Sequence, residues 1–121
     1  MAKNKEIGER GEQIAVDFLE AKDYKILERN WRFSRAEVDI IAMDGEVLVF
    51  LEVKTRSYTF FGEPAAFVTE KKEALMIDAA HVYMEKIGHE WEIRFDIIGI
   101  VLPKQGETDI RHFEDAFFPT W

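Results

Sequence analysis

The stretch from residue 36 to residue 54 limits this chain's fold more than any other. Two largely apolar runs, residues 36–42 and 47–54, flank Asp44-Gly45. Asp-Gly readily supplies the positive-φ positions of a tight two-residue turn, so the stretch predicts a β-hairpin. A loop made of Asp44 and Gly45 pairs Met43 with Glu46; Ile41 then faces Leu48, Asp39 faces Phe50, and Glu37 faces Glu52. Alternation puts Glu37, Asp39, Ile41, Leu48, Phe50, Glu52 and Lys54 on one side of the sheet. Val38, Ile40, Ala42, Val47, Val49, Leu51 and Val53 fall on the other. A four-residue loop keeps this parity and a three-residue loop breaks it. A half-exposed hairpin with a wetted charged face is the simpler alternative. Against it, Ile41, Leu48 and Phe50 share the side of the charges, and strands apolar on both sides belong inside a covered sheet. The charges gather at the end away from the turn, where they open into a cleft.

Asp39 and Glu52 are diagonal neighbours in this register, about 7–8 Å apart at the backbone, so their carboxylates can converge. Two like charges about 6 Å apart repel by about 3 kcal/mol at an effective dielectric near 20. Unless offset, this raises one carboxyl pKa by about two units. Lys54 offsets part of it. A divalent cation would offset the rest, and an all-oxygen ligand set favours magnesium or manganese.

At 121 residues the chain predicts a single domain spanning 1–121. The absence of cysteine excludes disulfides and thiolate zinc sites and suits a cytoplasmic protein. No apolar run approaches a membrane span or secretory signal, so no membrane association is expected. Net charge is −8, which weighs against a nucleic-acid partner. Its distribution weakens that objection, because residues 1–61 carry −2 and residues 62–121 carry −6. Arg29, Arg32, Arg35, Lys54 and Arg56 lie in the hairpin or its approach. They read either as a local phosphate-binding surface or as scattered solubilising charges.

Residues 5–22 predict a helix with Asn4 as N-cap and a stripe of Ile7, Gly11, Ile14, Ala15, Phe18 and Leu19. Glu12 lies at the stripe's edge, either as a carboxylate reaching over the core toward a sheet or as an ordinary boundary residue. Residues 24–30 predict a first strand, ahead of the hairpin. Residues 57–64, with Tyr58, Phe60 and Phe61, read as a loop that closes over a site or covers the core edge. A second helix runs from Thr69 as N-cap to Ile87, with Gly88 as its stop. Lys72 projects onto the centre of its apolar stripe, where its amine either aims at the sheet or snorkels outward. Residues 93–102 form an apolar strand interrupted by Asp96, and residues 109–113 a short last strand. The aromatic tail, residues 116–121, could dock on the core or on a second subunit. His81, His89 and His112 have no ligand spacing and read as surface residues. The order is helix, three strands, helix, two strands, with the third and fourth strands parallel and a helix on each face.

Asp39 followed by Glu52-Val53-Lys54 resembles the PD-(D/E)xK signature of restriction-endonuclease-like nucleases, although no proline precedes Asp39. The wider chain resembles the bacterial YraN family, related to archaeal Holliday junction resolvases. The matching residues are Gly8, Gly11-Glu12, Tyr24, Ile26-Leu27, Arg29-Asn30, Glu37 through Ala42, and Phe50 through Arg56. Phe61-Gly62, Val68-Thr69, Lys72, Ala79-Ala80, Arg94-Phe95-Asp96 and Ala116-Phe117 complete them. Ala36 departs from the glycine that many relatives place before Glu-x-Asp.

The resemblance implies an α/β fold with a restriction-endonuclease-like core, a mixed sheet of about five strands between two main helices. It also implies a metal-dependent endonuclease acting on DNA, including branched or junction DNA. By position, Asp39 and Glu52 match the metal-binding acids, Lys54 the catalytic lysine, and Glu12 the helix-borne acid. The expected metal ligands are therefore Asp39, Glu52, the Val53 carbonyl and Glu12, directly or through water, around magnesium or manganese. Glu37 is a candidate supporting acid, and Arg32, Arg56 and Lys72 are candidate phosphate contacts. A homodimer would suit cleavage of two strands. Two alternatives stand beside this reading: a nucleic-acid-binding module with an idle site, and an acidic partner-binding scaffold.

Overall fold

In the computed structural model, residues 2–56, 68–103 and 105–118 are described, the side chains of residues 2–4 excepted. They form α1 (Ala2–Ala21), β1 (Lys25–Phe33), β2 (Ala36–Asp44), β3 (Val47–Arg56), α2 (Glu70–Ile87), β4 (Ile93–Val101) and β5 (Asp109–Phe117). The sheet runs in the order β1-β2-β3-β4-β5, antiparallel throughout except between β3 and β4. That pair is parallel because α2 carries the chain back across one face between them. The architecture is the mixed α/β one that the periodicities predict.

Each face of the sheet is covered by one helix. Ala15, Val16 and Leu19 of α1 pack on Ile40, Ala42, Val49, Leu51, Ile98 and Ile100. Met76, Ala79, Ala80 and Tyr83 of α2 pack on Ile41, Leu48, Phe50, Phe95 and Ile97. The central strands are apolar on both sides because both sides are buried.

The hairpin departs from expectation in detail. Its loop is Gly45-Glu46, with Asp44 opposite Val47, so Ile41 faces Phe50 and Met43 faces Leu48. Of the two loop positions only Gly45 has positive φ, at 61°, which is the pattern of a glycine-first turn; type I′ needs positive φ at both. Each strand shifts by one residue, so the parity survives. It fails towards the end away from the turn. Val38 packs with Ala36 and Ile41 on the α2 side, away from Ile40. Glu37, Asp39 and Lys54, expected on the side of Ile41 and Phe50, line a cavity beside α1 instead. The change coincides with Asn30, at φ 52°, and with the absence of an Asn30–Asp39 pair between Arg29–Ile40 and Trp31–Val38. Glu37 sits opposite Arg32, and the ladder from β2 to β3 stops at Ile40–Leu51, so Glu37 does not face Glu52 as expected.

Helix α2 follows the cap signals closely. Thr69 Oγ1 accepts the Lys72 N–H at 3.1 Å, and Gly88 ends the helix at φ 69°. Helix α1 begins at Ala2, which places Asn4 inside the helix instead of at its cap. β5 reaches Phe117, beyond the expected end at Phe113, and the Phe117 ring stacks on Phe95 with centroids 4.9 Å apart. The front of the aromatic tail is thus a strand docked on the core, and Phe118 is exposed. The expected aromatic loop at residues 57–64 and the last three residues lie outside the described residues. Both outer strands are irregular: β1 slips register between Ile26 and Glu28, and the β4–β5 pairing slips between Phe95 and Ile97. Among the described residues, no helix is long and apolar enough to cross a membrane.

A buried ion network closes one end of the α1-covered face. Asp96 accepts from Arg94 Nε at 2.9 Å, from His112 Nε2 at 2.7 Å and from the Asp115 N–H at 3.1 Å. Arg94 also donates to Asp44 at 3.0 Å and to the Tyr24 hydroxyl at 2.6 Å. Lys22 Nζ approaches His112 Nδ1 at 3.0 Å, which leaves the ring proton on Nε2. Burial by itself pushes the Asp96 carboxyl up, but the His112 and Arg94 hydrogen bonds outweigh it and hold the group below the usual carboxylate range. Two of the three histidines are therefore not the surface residues expected. The His112 side chain is buried in this network, and His89 is buried against Trp91 with its Nε2 2.8 Å from the Glu92 carbonyl. His81 is exposed.

Candidate active site

The acidic residues gather where β2 and β3 part. Beyond Ile40–Leu51 the ladder is replaced by a side chain: Asp39 Oδ2 accepts the Val53 N–H at 2.8 Å. Glu52 is only 4% exposed. Its Oε1 lies 3.4 Å from Lys54 Nζ and its Oε2 lies 3.5 Å from Lys72 Nζ. The Lys72 contact is electrostatic only; among the described residues Oε2 has no hydrogen-bond partner. A buried carboxylate oxygen left in that state is costly unless a cation satisfies it.

Asp39 carries the mark of this environment. Its pKa is pushed up to about 7, first by burial and next by the negative charge of Glu52, while the Val53 N–H and Lys72 act in the opposite direction. The mutual repulsion expected from the sequence is present, but burial is the larger cause. Lys72 from α2 acts on Asp39 in addition to the expected Lys54, which sits 3.4 Å from Glu52.

On the α1 side the site opens into a cavity of about 600 Å³, whose walls include Glu12, Asn30, Glu37, Asp39, Val53, Lys54, Thr55 and Arg56. Glu52 is not part of that wall and lies behind it, between the two ammonium groups. Glu12 reaches the cavity from α1, yet its carboxylate is already held by β1. Oε1 accepts from Asn30 Nδ2 at 2.8 Å and lies 3.5 Å from Arg29 Nε. Helix α1 comes this close because Gly11 passes directly over Thr55, where a Cβ would overlap the threonine side chain.

The structure thus brings Glu12, Asp39, Glu52, Lys54 and Lys72 to one end of the sheet. Glu37 and Arg56 line the same cavity, with Arg56 Nη1 donating to the Thr55 carbonyl at 2.9 Å. Arg32 is engaged elsewhere: it pairs with Glu37 at 3.0 Å, is largely exposed and lies off the cavity wall. Sequence reasoning missed two features. One is Asn30, which both bends β1 and holds Glu12; asparagine's tolerance of positive φ was its only signal. The other is the contact between Gly11 and Thr55, which a glycine within an apolar stripe only hints at.

The donor set suits a hard cation. Asp39 and Glu52 offer oxygen only, and Glu52 Oε2 is without a hydrogen bond, so these two acids could hold a magnesium or manganese ion. No three acidic or imidazole side chains among the described residues form a ready-made metal cage. Magnesium commonly binds one or two carboxylates and completes its shell with water and phosphate oxygens, so two acids are enough.

A family model described as "Uncharacterised protein family UPF0102" matches residues 11–100. A UPF0102 protein of Christiangramia forsetii is 48% identical over 118 residues, covering 98% of each chain. One from Geotalea daltonii is 46% identical over 115 residues, covering 94% of this chain and 91% of its own. One from Thermodesulfovibrio yellowstonii is 41% identical over 113 residues, covering 93% and 96%. The chain belongs to the UPF0102 (YraN) family. All the acids and lysines of the site in this family member fall inside the matched span. The names of these relatives give the family and no activity.

Proposed function

We propose that this UPF0102 protein is a magnesium- or manganese-dependent endonuclease that hydrolyses phosphodiester bonds in DNA, branched or junction DNA included. One observation carries the reading. Glu52 is buried with a carboxylate oxygen that lacks a hydrogen bond, beside a second acid, Asp39, whose pKa burial and Glu52 raise to about 7. The strand order and the placing of the two acids on adjacent strands support it, as the resemblance to restriction-endonuclease-like nucleases implies.

Asp39 and Glu52, with the Val53 carbonyl, would hold the ion, and Glu12 would reach it through water while tied to Asn30. When bound, magnesium or manganese supplies Lewis-acid polarisation of water and of the scissile phosphate. Lys54 lies on the cavity wall and 3.4 Å from Glu52, where its ammonium orients the attacking water or steadies negative charge on the phosphate. Arg56 lines the cavity and is placed to contact a backbone phosphate, and Arg32 extends that positive surface outside it. A pair of such chains would supply one site per strand of a junction.

Incubation of four-way-junction and linear duplex DNA with the protein in magnesium, manganese or chelator tests this directly. Product is expected only with metal, and Glu52→Ala or Lys54→Ala should reduce it at least 100-fold. Undiminished cleavage by Glu52→Ala would sink the assignment. A second reading, a nucleic-acid-binding module with an idle site, draws support from the two ammonium groups that already face Glu52. Metal-indifferent DNA binding without product at high protein concentration is the result that would favour it.

A further inference from the structure

We propose that Lys72 is the resident counter-ion of Glu52: its ammonium occupies the cation position in the metal-free protein and is expelled when a divalent cation binds, becoming available to a substrate phosphate. The inference rests on the metal-dependent reading above and assigns that site a built-in competitor.

Three observations carry it. Lys72 Nζ stands 3.5 Å from Glu52 Oε2, close enough for charge pairing, yet the oxygen receives no hydrogen bond among the described residues. The ammonium therefore neutralises that oxygen without filling its bonding capacity. Next, Glu52 is 4% exposed and absent from the cavity wall, while each of its oxygens faces an ammonium. A divalent ion on Oε2 and an ammonium 3.5 Å from the same oxygen repel each other, which favours the departure of one of the two.

The third observation concerns which lysine leaves. Lys54 is fixed to the same strand as Glu52, two residues on. Lys72 comes from the first turn of α2, its backbone pinned where its own N–H meets Thr69 Oγ1. Its side chain is 31% exposed, close to the 28% of Lys54, so either stem reaches solvent and the choice rests on Lys72 belonging to a separate element. The charge balance agrees. Asp39 and Glu52, when ionised, are matched by Lys54 and Lys72. A divalent ion added to that set leaves two surplus positive charges, which repel the mobile ammonium and suit a phosphodiester.

Calorimetric titration with manganese chloride, on wild type and variants, tests the exchange. Lys72→Met should bind manganese about tenfold more tightly than wild type, because no competitor has to be displaced. Lys71→Met removes the same charge one position away and should match wild type, as should Lys72→Arg. In chelator, Lys72→Met should melt about 4 °C lower than wild type, and saturating manganese should abolish that difference. Should Lys72→Met fail to fold, Lys72→Gln carries the same test.

Equal or weaker manganese binding by the Lys72 variant, with wild type binding normally, overturns the exchange and leaves the nuclease reading standing. An equal gain in Lys71→Met also overturns it, since general charge would then be the cause. Failure of every form to bind manganese overturns both.

Discussion

Asp39 holds two jobs that pull against each other. It replaces a lost ladder hydrogen bond by accepting the Val53 N–H, which favours the ionised form, and it is buried beside Glu52, which disfavours that form more. The balance, a pKa of about 7 against an ordinary 3.8, has a defined sign. Between those values the folded chain keeps a proton that the unfolded chain releases. The stabilisation is complete below about pH 4 and is lost as pH rises from there through 7, about 4 kcal/mol in all. Urea denaturation at pH 5 and pH 8 should therefore show wild type losing more stability over that interval than Asp39→Asn. Asp96 behaves in the opposite sense: its lowered pKa gives stability that is present above the usual carboxylate value and disappears as pH falls. That Asp39 and Glu52 share a site was legible in the sequence, because alternation and an apolar background on both sides leave few places for two acids. Why Asp39 reaches the seam was not legible. The Asp39–Val53 hydrogen bond lies where the β2–β3 ladder has stopped, opposite a left-handed residue, Asn30, and no periodicity reports either feature.

Among the elements, α1 and β3 meet at the tightest point described. Gly11 lies over Thr55, next to Lys54, and a methyl at Gly11 would overlap atoms at the threonine branch point that rotation cannot remove. Gly11→Ala should lower stability by about 1–3 kcal/mol, even though alanine favours helix, because α1 must lift away from the sheet. The same lift carries Glu12 from the cavity, so metal affinity should fall with it; adding Thr55→Ala should restore part of both. Thermal melts and manganese titration read the two effects separately. Helix α2 was legible end to end, since Thr69 and Gly88 carry their capping chemistry in their identity. The length of β5 was not. It continues through a positive-φ residue, Asp115, whose N–H is fixed by the buried Asp96, a partner 19 positions away in the chain. Local turn chemistry cannot announce a strand held by so distant a group.

Across the whole molecule, polar groups are treated differently at the two ends of the sheet. At one end Asp96, Arg94, His112, Tyr24 and Asp44 satisfy one another. At the other, Glu52 keeps an oxygen unbonded and Asp39 keeps its proton to well above the usual carboxylate range. Removing one member of the closed network strands a buried charge, so Asp96→Ala should cost about 3–5 kcal/mol in a urea titration. Glu52→Gln relieves the repulsion with Asp39 but leaves the Lys54 and Lys72 ammonium groups without their shared carboxylate, so in the same titration it should cost less than Asp96→Ala without being neutral. The outer strands carry a separate consequence. β1 and β5 each contain a register slip and a left-handed residue, and β1 presents Lys25, Glu28, Arg29 and Arg32. Neither margin offers the straight, uncharged template on which a stranger's backbone can zip, so concentrated solutions of this chain should resist amyloid-like stacking.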